Sequence, residues 1–515
     1  MIDKQSKNLV RDSSDSTIDT AFIGHPKPLF SLSMTEVWER FSFYGIRPLL
    51  VLFMAAAIFD GGLGIARENA AAIVGIFGGC LYLATLPGGW LADNLLGQKR
   101  AVLYGAIIIA FGHLSIALSI FTQIAFFLGL SLIVIGTGLF KTCSSVMVGM
   151  LYKDGDSRRD SGFTIFYMGI NIGAFIAPLI CGAVQKEFGW HLGFGIGGLG
   201  MLLSVLIFYL KTLKDFREFE GAVGLSHSID APLKRNPFAI PLIAIFLVAF
   251  VAIFALLSLG IITLNPIALS KKMIAIIVIA TALYFCYLYF FCALKREEKR
   301  NLIMLVILYL AAAFFWSAFE QKPTSFNLFA QDFTERVFFG YEIPAAWSQS
   351  LNPLFIIAFA PIMSALWIFL ARENREISSL SKFTLGIIGA GVGFTIMIFA
   401  AKAALATGDK VSLLWLVSSI WFLTMGELCL SPVGLSIMTK LAPAIIRNQI
   451  MGLWFVSSAL GNFIAGLIGG GVRADNITEL PNLFMQCAFV LFGVAIALFV
   501  IKIFVGKSLK QRKAR

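Results

Sequence analysis

Ionisable side chains collect in an apolar segment near the start of the chain, "TEVWERFSFYGIRPLLVLF" (Thr35 to Phe53). Glu36, Arg40, Tyr44 and Arg47 are spaced four, four and three residues apart, which puts them on one stripe of a helix, with Glu39 beside it. Both acids reach Arg40. Arg47 is left without an acid on its own helix, so it is expected to find an anion elsewhere or to face water. The chemistry on offer is carboxylate recognition by guanidinium groups and proton exchange on acids.

Three more apolar segments carry one ionisable residue each: Lys141 in "VIGTGLFKTCSSV", Glu320 in "AFFWSAFEQ" and Glu427 in "MGELCLSPVGLS". Lys141 and Glu320 fall near predicted helix ends. Glu427 precedes a predicted break at Pro432 and Gly434, where freed carbonyls need a cavity or protein neighbours. In "IFYMGINIGAFIAP" Asn171 stands among Gly169, Gly173 and Ala174, and read alone it is a packing hydrogen bond more often than a ligand. The four histidines are scattered and form no H-E-x-x-H pair, which counts against a zinc enzyme. His113, in "IIIAFGHLSIAL", reads as a packed or hydrogen-bonded helix residue rather than a proton relay.

These groups need a scaffold in lipid. Of 515 residues 58% are hydrophobic and 14% charged, the composition of an all-α polytopic membrane protein. Hydropathy marks six spans, approximately 33–59, 70–91, 101–120, 125–142, 162–184 and 194–210. Two more follow at 237–259 and 273–294, then six at 302–320, 347–370, 383–401, 412–438, 451–470 and 483–505. The plan is 14 transmembrane helices as six, two and six. It divides the chain into a cytoplasmic tail (1–32), an N-terminal bundle (33–210), a cytoplasmic linker with two inserted helices (211–300), a C-terminal bundle (301–505) and a basic tail (506–515).

The net charge of +12 follows the same plan. Roughly 29 of the basic residues fall in the termini and the loops of one side. That positive-inside bias favours a plasma membrane protein of the inner, cytoplasmic membrane type with both termini in the cytoplasm, and disfavours nucleic acid as a partner. No signal peptide precedes the first span, and the seven cysteines, all in apolar stretches, predict neither disulfides nor a zinc site. The two inserted helices, lacking a central acid or base, are expected to face lipid or pack. One loop departs from the bias, with Lys271 and Lys272 on the opposite side.

The loop "GGWLADNLLGQKR" resembles the G-x-L-A-D-x-x-G-x-K-R loop of the major facilitator superfamily, with Gly89, Asp93, Gly97, Lys99 and Arg100 in place and Asp93 expected to cap a helix or pair with a base. "EVWERFSFY" resembles the E-x-x-E-R-F-x-Y-Y element of the proton-dependent oligopeptide transporters, the POT family, with Phe43 replacing the first tyrosine. "GFTIFYMGINIGAFIAP", "GELCLSPVGLS", "FFWSAFEQ", "LNPLF" and "GLWF" extend the resemblance from Glu36 to Gly461.

That resemblance implies a major facilitator fold and proton-coupled import of di- and tripeptides, extending to peptide-like drugs, by a monomer without cofactor, H⁺ being the coupling ion. It implies that Arg40, Arg47 and Lys141 receive the substrate carboxylate and that Asn171, Asn352 and Glu427 receive the amino end. Tyr44, Tyr82, Trp316, Ser431 and Trp454 would shape the pocket. Such a site has physical sense, because it reads the two charged ends common to all short peptides while aromatic walls tolerate their side chains.

Coupling is expected to centre on Glu320, with Glu36, Glu39, Arg40 and Lys141 as relay, since moving a cation between partners loads or releases a proton. No histidine lies in 70–91, which leaves a histidine-based variant of the coupling unsupported. "KTCSSV" after Lys141 is less typical of the family and points to a shifted substrate preference. Alternatives are a family member moving another zwitterion, anion or drug, and a receptor that binds without moving solute.

Overall fold

The computed structural model describes residues 20–153, 156–223, 236–373, 375, 377–472 and 477–513. Parts of the two expected tails and of the linker, at 1–19, 224–235 and 514–515, lie outside the described residues. In chain order the α-helices are α1 (Pro28–Ala55), α2 (Arg67–Leu91), α3 (Gln98–Ala117), α4 (Gln123–Met150), α5 (Arg159–Phe188), α6 (Trp190–Ile207) and the short α7 (Leu213–Ala222). They continue with α8 (Ala239–Ser258), α9 (Pro266–Phe291), α10 (Arg296–Phe319), α11 (Asn327–Phe333), α12 (Leu351–Arg372), α13 (Ser379–Thr407), α14 (Leu413–Leu441), α15 (Ile450–Gly469) and α16 (Leu480–Lys513).

Among the described residues, 13 helical runs are long and apolar enough to cross a bilayer. The fourteenth span is α1, whose 28 residues hold the charges of the ERF segment. The expected all-α membrane fold is therefore present. Most helices are longer than their hydropathic cores: α4 extends eight residues past the predicted end at 142, placing Lys141 well inside it.

One predicted helix end and one predicted helix break are absent, for different reasons. Polar residues were read as loops, yet α10 runs on through a π-helical turn (Lys322–Phe326) into α11, so Glu320 lies inside a helical run of 38 residues. The break expected at Pro432 does not occur either. α14 is continuous from Leu413 to Leu441, because a helix with protein neighbours can lose one backbone hydrogen bond to proline and persist.

The chain packs as two compact units. The first comprises Met1–Gly45, Ala84–Ala177 and His191–Thr263. Its α3 and α4 meet along glycines: a Cβ on Gly105 would lie 2.6 Å from the Gly136 carbonyl oxygen, and one on Gly112 would lie 2.8 Å from that of Gly129. Only hydrogen at these positions allows so close a contact, the usual device where lipid supplies no hydrophobic drive. Ser204 donates to the Thr35 carbonyl at 2.8 Å and ties α6 to α1.

Outside the spans Lys27 pairs with Glu218 at 2.8 Å and Asp215 at 3.3 Å, and the bond to Glu218 raises its pKa. Lys99 holds Glu220 at 2.5 Å. These pairs pin α7, part of the expected linker, to the start of α1 and α3. Asp93 accepts from Gln98 at 2.9 Å, an amide where a base or a helix cap was expected. α8 is exposed along nearly its whole length, as a lipid-facing helix should be.

The second unit comprises Ile46–Leu83, Pro178–Trp190 and Leu264–Arg515. Here α9 packs on α15, with Ile277, Ala459, Leu460 and Phe463 in one apolar cluster. α13 and α14 approach through Gly386 and Gly426, repeating the device of the first unit, and α2 meets α15 at Gly75 and Gly466. A short strand β1 (Thr334–Glu335) pairs in parallel with β4 (Val411–Ser412), while β2 (Val337–Phe338) and β3 (Tyr341–Glu342) form a hairpin.

Candidate functional site

In the first unit the ERF segment makes a buried triad. Arg40 Nε lies 3.0 Å from Glu36 Oε1 and 2.5 Å from Glu39 Oε2, and all three residues are at most 5% exposed. The i to i+4 spacing delivers Glu36 to Arg40, as the sequence predicts. Glu36 uses only one oxygen, since its Oε2 is buried without a hydrogen bond. Lys141, on α4, is close enough to act on Glu39 electrostatically. Gly173 lets α5 press on this segment, because a Cβ there would stand 3.2 Å from Arg40 Cβ. Asn171 donates to the Tyr167 carbonyl at 2.9 Å, one turn back on α5, a bond that leaves its amide oxygen available. Tyr44 packs edge-on against Phe43.

In the second unit Arg47 pairs with Glu320. Of the two outcomes expected for Arg47, an anion from elsewhere or water, the structure shows the first: the acid it lacks on α1 is supplied from the end of α10. Two residues on, Lys322 is buried at 6% exposure, with its ammonium 3.2 Å from the centre of the Phe319 ring. Glu320 and Glu427 are the acids whose fields act on it. Glu427 accepts from Asn352 Nδ2 at 3.1 Å, and the same amide reaches Thr424 Oγ1 at 2.9 Å.

Arg47, Lys322, Glu320 and Glu427 thus bring two cations and two acids together, a balance that lowers the cost of burying each charge. Trp316 and Trp454 meet edge to face at 6.2 Å, and Tyr82 packs on Phe455 at 6.0 Å. Trp316 Nε1 and Ser431 Oγ are buried with no hydrogen-bond partner.

Against known proteins, the model of the POT family matches residues 99–478. The chain belongs to the POT family. It is 53% identical over 494 residues to a peptide transporter, YePEPT, of Yersinia enterocolitica, covering 96% of this chain and 97% of that protein. It is 37% identical over 453 residues to a di-/tripeptide transporter of Lactococcus lactis, covering 87% and 89%. The crystal structure of a peptide transporter POT in complex with sulfate superposes with a TM-score of 0.85 at 36% identity, over 96% of this chain and 99% of the other. The expected major facilitator architecture is that of these POT relatives.

Sequence reasoning missed two parts of this site and one ion pair elsewhere in the second unit. Lys322 was lost with the early end assigned to α10; continuing the helix through "EQKP" would have revealed a cation at membrane depth. Arg67 pairs with Asp332 through both guanidinium NH groups, and its NH1 also reaches the Val472 carbonyl at 3.5 Å. Both residues stood in stretches read as loops, and nothing in spacing links positions 265 residues apart. Thr424 was hidden for want of any charge.

Proposed function

We propose that this POT family chain is a proton-coupled symporter of di- and tripeptides, tolerant of side chains and of peptide-like drugs, that works as a monomer by alternating access. Its home is the plasma (inner) membrane with both termini in the cytoplasm, and its functional domains are the six-helix, two-helix and six-helix blocks read from hydropathy.

The observation that carries this reading is the Arg47 to Glu320 pair beside Glu427 and Lys322. A peptide carboxylate and Glu320 compete for the same guanidinium. Protonation of Glu320 removes its charge and hands Arg47 to the substrate; departure of the substrate returns Arg47 to Glu320 and drives the proton off. Such linkage is reciprocal, so each ligand favours the other. Arg40 and Lys141 also serve the carboxylate, with Glu36 and Glu39 as their relay anions. Glu427, Asn352 and Asn171 take the amino end, and Tyr44, Tyr82, Trp316, Ser431 and Trp454 line the walls.

Names and titles of relatives, which include peptide transporters and a POT family transporter in complex with a thioalcohol conjugated peptide, support the substrate class. The test is uptake into proteoliposomes. Dialanine is expected to accumulate only with a proton gradient directed inward and to carry protons with it. Gradient-independent equilibration, or failure of dialanine to compete with any transported solute, sinks the proposal.

A further inference from the structure

Thr424 stands on α14 three residues before Glu427, on the same face of the helix, and is fully buried. Its hydroxyl has one proton, and that proton goes to the Ile420 carbonyl one turn back at 2.7 Å. The lone pairs that remain face α12, where Asn352 donates one amide hydrogen to Thr424 Oγ1 at 2.9 Å and the other to Glu427 Oε2 at 3.1 Å. The amide can stand only one way in this setting. Turned over, it would set its oxygen against a carboxylate and against a hydroxyl whose proton is already spent. Both amide hydrogens are thereby used inside the protein. Asn352 Oδ1 meets no donor among the described residues and is not sealed by packing, so the atom that the amide offers a ligand is an acceptor.

We infer that Thr424 is a positioning residue for the amino end of the peptide: it holds the Asn352 amide with its oxygen toward the substrate ammonium, whatever Glu427 is doing. The inference rests on the assignment of Asn352 and Glu427 to that end of the substrate. An ammonium has three hydrogens to donate and nothing to accept with, so acceptors alone suit it. Glu427 by itself would fix the amide only while the site is empty. Once its carboxylate turns to the ammonium, its hold on Asn352 weakens, and an amide free to turn over would set its own N–H groups against a cation. Thr424 has no such second partner. Its proton is committed within its own helix, so its oxygen draws a hydrogen from Asn352 in the empty and the occupied site alike. The carboxylate end of the substrate, at Arg47, is untouched by this arrangement.

The experiment is competition against tracer dialanine uptake in proteoliposomes, by unlabelled dialanine and by propanoyl-alanine, the same molecule with hydrogen in place of its amino group. Wild type is expected to favour dialanine. Thr424→Val, close to threonine in shape but without the hydroxyl, is expected to weaken dialanine about ten-fold, the order of one hydrogen bond to a charged group, and to leave propanoyl-alanine nearly unchanged. Thr424→Ser, which keeps the hydroxyl, is expected to retain the preference of wild type. Equal binding of the two ligands by wild type overturns the amino-end assignment and the inference with it. A preference that persists in full in Thr424→Val overturns the inference alone. So does an equal loss for both ligands, which a merely structural role would give, or a Thr424→Ser protein that behaves as Thr424→Val. Thr424→Ala, which adds no group to the packed turn, carries the same expectations should Thr424→Val fail to fold.

Discussion

Replacing Asp332 with Asn should loosen one end of the second unit by a calculable amount. Arg67 grips Asp332 with two NH groups and also reaches the Val472 carbonyl, so one guanidinium joins the start of α2, the end of α11 and the residues after α15. The side chains are 26% and 15% exposed, intermediate between a surface pair worth under about 1 kcal/mol and a buried one whose breakage costs about 3–5 kcal/mol.

About 2 kcal/mol is therefore the expected coupling, or roughly 30-fold in the balance between latched and open forms. Ser348 reports on it, because it is 7% exposed, its Oγ has no partner, and it lies in the 3₁₀ turn (Ala345–Ser350) packed against α11. In a background without the native cysteines, Ser348→Cys should react with a maleimide about ten- to thirty-fold faster once Asp332→Asn is added. The charge-reversed pair Arg67→Asp with Asp332→Arg should restore slow labelling. An unchanged rate in Asp332→Asn, or no rescue by the swap, refutes the latch.

Glu427→Gln should weaken dialanine about ten-fold or more while leaving N-acetyl-dialanine nearly unaffected, since only the former presents an ammonium to the acid; competition uptake checks this. Trp316→Phe, which keeps the ring packing but removes the unpartnered Nε1, should cost about 1 kcal/mol of substrate affinity, measured by calorimetric titration, with little loss of melting temperature. Gly75→Val should push α2 from α15, where a Cβ would lie 2.6 Å from Gly466 Cα, and should lower thermal stability by about 1–3 kcal/mol together with uptake.

Much of this molecule is readable in its sequence because lipid enforces simple rules. Apolar runs become helices, and an ion at membrane depth must have a reason, so the 14 spans and the Glu36, Glu39 and Arg40 triad follow from composition and spacing. Asn352 and Glu427 could be named as site residues by resemblance, yet their direct hydrogen bond could not, since it joins positions 75 residues apart. The same limit hid the partner of Arg47. Polar residues within helices misled in the other direction: "EQKP" ended a span on paper and thereby concealed Lys322, whereas the backbone absorbs the strain in one π turn. The sequence reads His113 as packed or hydrogen-bonded. It is packed without a hydrogen bond, a distinction that depends on which groups neighbouring helices bring.

The exchange of anions at Arg47 is tested most directly by counting protons on binding, without transport. Detergent-purified protein in weakly buffered solution with a pH indicator is mixed with dialanine near neutral pH. Wild type should take up a measurable fraction of a proton per peptide bound, approaching about one, because Arg47 leaves Glu320 for the substrate carboxylate and Glu320 then binds H⁺. Glu320→Gln should bind dialanine with almost no proton uptake. Binding by wild type that moves no protons, or uptake undiminished in Glu320→Gln, would contradict the coupling assigned to this pair.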